Sequence, residues 1–81
     1  MASHTKEERF LIHLHKMSIK ANNNEEPFEF SEIAKSLGQS EKGVKTTVQI
    51  LASTNFIKKS NKTKVYITSH GQKLVERLEQ E

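Results

Sequence analysis

The stretch from Ser31 to Leu51 restricts the fold more than any other part of the chain. It runs Ser31-Glu32-Ile33-Ala34-Lys35-Ser36-Leu37-Gly38-Gln39-Ser40 and continues through Val44 to Leu51. Ser31 stands where the N-cap of a short amphipathic helix is expected. Gly38 suits the left-handed position that ends such a helix. Ser40 then caps a new helix, in which Val44, Val48 and Leu51 fall at i, i+4 and i+7 on one face. A link this short forces the two helices to meet at a steep angle. Their apolar sides therefore have to be covered by elements from elsewhere in the chain.

The rest of the sequence supplies those elements. Thr5-Lys6-Glu7-Glu8 reads as a capping box, which predicts a first helix over 5–21. Phe10, Leu11, Leu14 and Met17 make its core stripe, and Ile12 and Ile19 lie off it. The polar loop Asn22-Asn23-Asn24-Glu25-Glu26-Pro27 follows, and Phe28-Glu29-Phe30 alternates as a short strand does. After the third helix, Asn55 suits a positive φ and Phe56-Ile57 returns to the core. Ile57-Lys58-Lys59, the turn-forming Ser60-Asn61-Lys62 and the run Thr63 to Thr68 form a hairpin, with Val65 and Ile67 alternating against Lys64 and Tyr66. Thr68 caps a last helix over 69–80, whose inner face holds Gly71, Leu74, Val75 and Leu78. The expected class is α+β, mainly helical, as one domain over 1–81 with residues 1–4 disordered.

Much chemistry is excluded by what the chain lacks. Its 81 residues include no cysteine, which removes disulfides, zinc–thiolate sites and thiol redox chemistry. There is no aspartate, no arrangement of serine and histidine fit for a nucleophile, and no glycine loop able to cradle a phosphate. His13 and His15 are two apart, so on a helix they face different directions and do not share a metal. No enzyme activity, cofactor, metal or small-molecule ligand is expected. No apolar run approaches the ~20 residues of a membrane span, and the first four residues have no apolar stretch of the kind a secretory signal carries. The expected location is cytoplasmic and nucleoid-associated, or nuclear in a eukaryote.

The net charge of +3 is localised. Up to Glu26, basic and acidic residues balance, and they balance again from Pro27 to Phe56. The excess sits in Lys58, Lys59, Lys62 and Lys64, with no acidic residue between them. A basic stretch of this kind fits a polyanionic partner. Lysines on a hairpin also serve to guard an edge strand against aggregation, and the two roles are compatible. On the third helix, Lys42, Lys45, Thr46 and Gln49 recur at i, i+3, i+4 and i+7 on the side away from Val44, Val48 and Leu51.

These segments together resemble the winged helix-turn-helix domains of bacterial and archaeal regulators. Ile33 to Ser40, Val44 to Leu51 and Asn55-Phe56-Ile57 are similar to the cores of the MarR-type and ArsR-type families. Tyr66-Ile67-Thr68-Ser69-His70-Gly71-Gln72-Lys73-Leu74 resembles the segment where the second wing strand enters a closing helix through Thr-x-x-Gly. The resemblance implies a three-helix core, a short strand, a two-stranded wing and a C-terminal helix. It also implies double-stranded DNA as partner, with the third helix in the major groove and the wing on the backbone or an adjacent groove. Ser40, Lys42, Lys45, Thr46 and Gln49 become groove-facing candidates, and Lys58, Lys59, Lys62 and Lys64 become wing contacts. The chain departs from ArsR-type metal sensors in having no cysteine, and from MarR-type proteins in its short flanks.

Two alternatives stay open at this level. Ile12, Ile19, Val75 and Leu78 either close the core between the first and last helices or form a homodimer interface through them. The fold also serves as a protein-interaction module with no role on DNA, a reading that an exposed apolar patch on the third helix would favour.

Overall fold

A computed structural model of the chain describes residues 5–22 and 26–79. The expectations for residues 1–4, for Asn23, Asn24 and Glu25 in the loop, and for residues 80 and 81 lie outside that range. The described elements are α1 (Lys6–Lys20), β1 (Phe28–Glu29), α2 (Phe30–Leu37), α3 (Glu41–Ser53), β2 (Ile57–Lys59), β3 (Lys64–Ile67) and α4 (Ser69–Glu79). The class is α+β and mainly helical, with the strands in one antiparallel sheet ordered β1-β3-β2.

Local side-chain chemistry sets most helix ends. Thr5 Oγ1 accepts from the Glu8 N–H (3.2 Å), and a Glu8 carboxylate oxygen accepts from the Thr5 N–H (2.8 Å), so two orphan donors of α1 are satisfied at once. Gly38 has φ +70° and Asn55 has φ +66°. Beyond each, the chain folds back through a backbone bond: Gln39 N–H to Ala34 C=O (2.8 Å) and Phe56 N–H to Leu51 C=O (2.9 Å). α2 and α3 thus end in the same left-handed stop. Ser40 Oγ accepts from the Gly43 N–H (3.1 Å) and caps α3.

The start of α2 corrects the sequence reading. Phe30 and Ser31 are both helical, the N-cap is Glu29, and no side chain caps this end. The physical reason is tertiary. The Phe30 N–H, an orphan at the first helical position, donates to the Thr63 C=O at the tip of the hairpin (3.0 Å). That carbonyl, from a distant segment, satisfies the first N–H of the helix, and Phe30 is buried in the core.

Phe10, Leu11 and Leu14 of α1, Ile33 of α2, Val44, Val48 and Leu51 of α3, Ile57, Val65 and Ile67 of the sheet and Val75 of α4 are buried in one cluster. Thr47 is buried as well, its hydroxyl donating to the Gly43 C=O (3.1 Å), which makes the inner face of α3 wider than the apolar periodicity indicates. Ile12 and Leu78 are half-buried, whereas Ile19 is 60% exposed. Of the four residues with two possible roles, Val75 therefore belongs to the core, Ile12 packs against it, and Ile19 is the most exposed.

The Thr68-Ser69-His70-Gly71 segment fastens α4 to the end of α3. Thr68 Oγ1 accepts from the Gly71 N–H (3.1 Å) and shares its proton between the carbonyls of Asn55 (2.6 Å) and Phe56 (3.0 Å). The Phe56 and His70 rings stack with centroids 4.7 Å apart. Gly71 is buried, and a Cβ there would overlap the Phe56 carbonyl oxygen and stand 2.9 Å from Ile67 Cγ1. The glycine is required by this close approach.

Candidate nucleic-acid interface

α3 presents two faces because its inner residues recur with the helical period. Val44, Thr47, Val48 and Leu51 point inward, while Lys42, Lys45, Thr46 and Gln49 are exposed, with Ser40 exposed at the cap. Ile50, which the sequence reading did not single out, is 42% exposed on the same helix. Some polar capacity on this face is already engaged. Ser40 accepts from Gly43, and Thr46 Oγ1 donates weakly to the Lys42 C=O (3.4 Å).

The register of the hairpin divides Lys58, Lys59 and Lys64 between the two sides of the sheet, and Lys62 lies in the turn between the strands. Ile57 lies opposite Ile67, Lys58 opposite Tyr66, and Lys59 opposite Val65. Directly opposed residues share a face, and neighbours along a strand alternate. Lys59 is thus on the same side as Ile57 and Val65, at the end of the core-facing surface. Lys58, Tyr66 and Lys64 occupy the other side, where Lys64 lies opposite Glu29 of β1. That carboxylate offsets part of the charge on the outer face.

Lys59 and Lys62 meet α3 across a groove. Its walls are Lys45 and Gln49 on one side and Lys59 and Lys62 on the other, and Phe30 and Val48 form its apolar floor. Among the described residues, no carboxylate lines it. The groove brings together four of the nine candidates. Ser40, Lys42 and Thr46 share the exposed surface of α3 without lining it, and Lys58 and Lys64 face away. The apolar floor was not anticipated; the alternation of Phe28-Glu29-Phe30 disguised Phe30 as a strand residue.

The hairpin tip is ordered by its own side chains. Asn61 Oδ1 accepts from the Thr63 N–H (2.8 Å), the Thr63 hydroxyl (3.2 Å) and the Lys64 N–H (2.8 Å). Ser60 N–H donates to the Lys64 C=O (2.8 Å). One asparagine thus organises the turn, and the Phe30–Thr63 bond ties it to the start of α2. Elsewhere, no three histidine or acidic side chains converge as metal ligands among the described residues, and none of their helices is long and apolar enough to cross a membrane. Compared with family models, curated proteins and solved structures, the chain matches none.

Proposed function

We propose that the chain is a winged-helix domain that binds double-stranded DNA as a transcription regulator, cytoplasmic and nucleoid-associated or, in a eukaryote, nuclear. The observation that carries this reading is the groove in which Lys45 and Gln49 of α3 face Lys59 and Lys62 of the hairpin, with no carboxylate between them among the described residues. Glutamine pairs bidentately with adenine and lysine with guanine O6 or N7, provided a helix holds them at a base edge. Lysines on the facing wall neutralise phosphates, which adds affinity but little sequence information. Ile50 is the feature that speaks for the rival, a protein-interaction module. A single apolar side chain beside Lys42, Lys45, Thr46 and Gln49 supports that rival weakly, and it also suits contact with a thymine methyl.

A salt titration of binding to preferred and random duplexes tests the proposal. Lys59→Ala and Lys62→Ala should each weaken binding to all sequences alike and flatten the slope of log K against log salt by ~0.9. Gln49→Ala should cost ~1–3 kcal/mol on the preferred site and little on random DNA. Lys58→Ala and Lys64→Ala should leave the slope nearly unchanged, because one duplex seated in the groove does not meet the outer face of the sheet. Absence of any mobility shift at low salt and micromolar protein would sink the DNA reading. Equal slopes for all four lysine variants would remove the division between the two faces.

A further inference from the structure

The segment up to Glu26 is neutral in sequence, yet α1 separates its charges in space. Glu7 and Glu8 are confined to the first turn, where Glu8 serves the Thr5 N–H. Arg9, His13, Lys16 and Lys20 follow at i, i+4, i+7 and i+11, which places them in one stripe along the helix. Ile12 and Ile19 flank that stripe seven residues apart. Two shallow depressions run along this face and share His13 and Lys16 as a common wall. One reaches Ile12 and the Leu37 end of α2; the other is bounded by Met17 and Ile19. Among the described residues, neither is lined by a carboxylate.

We propose that this face of α1 docks an acidic amphipathic helix of another protein, a role separate from the DNA groove. The apolar part selects against bare phosphate. Ile19 is 60% exposed and Met17, half-buried, lines the same depression from the other side of the stripe, and neither gains anything from a sugar–phosphate backbone. The pair Ile12 and Ile19 spans about 10.5 Å along the axis, the distance that two apolar side chains seven residues apart cover on a partner helix. Glutamates or aspartates flanking those side chains then meet Lys16, Lys20, His13 and Arg9. A second copy of this chain fits poorly. An α1-to-α1 twofold contact would set the basic stripe against itself, and α4 offers Lys73 and Arg77 among its acidic residues.

The test is selection of displayed helix-forming peptides of about four turns on the full chain, with Ile19→Glu as counter-selection. Ile19 is exposed, so this variant should keep the native circular dichroism spectrum. Enriched peptides should be acidic, with apolar residues at i, i+3 or i+4, and i+7. Amide shift changes on binding should map to α1 and the end of α2. Ile19→Glu and Lys16→Glu should each weaken the selected peptides at least about tenfold. The proposal is overturned if nothing is enriched, if the enriched peptides are not acidic, or if the shifts map to the α3 groove. It is equally overturned if sedimentation shows a dimer that Ile19→Glu dissolves, since a second copy would then be the occupant.

Discussion

Gly71→Ala should destabilise the protein by about 1–3 kcal/mol, although the same exchange inside an ordinary helix stabilises by about 1 kcal/mol. The sign reverses because of what surrounds the missing side chain. An added methyl would overlap the carbonyl oxygen of Phe56, which is backbone and has little room to move. That carbonyl also accepts from the Thr68 N–H (3.1 Å) and from the Thr68 hydroxyl (3.0 Å). Moving α4 outward to admit the methyl would stretch both bonds and loosen the Phe56–His70 stack. Urea denaturation should show a lower midpoint at unchanged slope. A variant as stable as the parent would mean that α4 can step away from the end of α3 at no cost, and that the Thr-x-x-Gly segment has another explanation.

Leu51→Ala should cost more, ~2–5 kcal/mol, out of the ~5–15 kcal/mol typical of a folded domain. Leu51 is 3% exposed, in the cluster joining α1, α3 and the sheet. Its carbonyl accepts from the Phe56 N–H, so the backbone around the cavity is fixed and relaxes little. The neighbouring Ile50 is the natural control. At 42% exposure, its truncation removes far less buried surface, and Ile50→Ala should stay within about 0.5 kcal/mol of the parent. Thermal melts of the two variants side by side decide the matter. If they fall together, the assignment of inner and outer faces on α3 is wrong.

The features legible in the sequence are those set by side chains acting within a few residues. The Thr5–Glu8 box, the Gly38 and Asn55 stops, and the caps at Ser40 and Thr68 each depend on a local hydrogen bond or a local φ. The core positions Val44, Val48, Leu51, Val65 and Ile67 follow from period alone. Where a distant segment decides, local reading fails. α2 begins at Phe30 because Thr63 supplies the acceptor, and nothing near Ser31 announces that. The apolar floor of the groove exists because β1 pairs with β3, bringing Phe30 up to Val48. The division of the lysines was partly readable, since Lys64 and Tyr66 alternate against Val65 and Ile67. Lys59 needed the register to place it opposite Val65. The basic stripe of α1 was hidden by summing charge along the segment rather than around the helix.

The hairpin tip is held from two directions, by Asn61 within the turn and by the Phe30–Thr63 bond from outside it. Its backbone has therefore already surrendered most of its conformational freedom in the unliganded molecule. If a duplex seats in the groove as proposed, the backbone carrying Lys59 and Lys62 is ordered beforehand, and only the side chains remain to be immobilised, at ~0.5–1.5 kcal/mol each. A wing on a loose loop would add the cost of ordering its backbone, ~1–2 kcal/mol for every residue fixed. The entropy of the hairpin is lost once, on folding, and association is spared it.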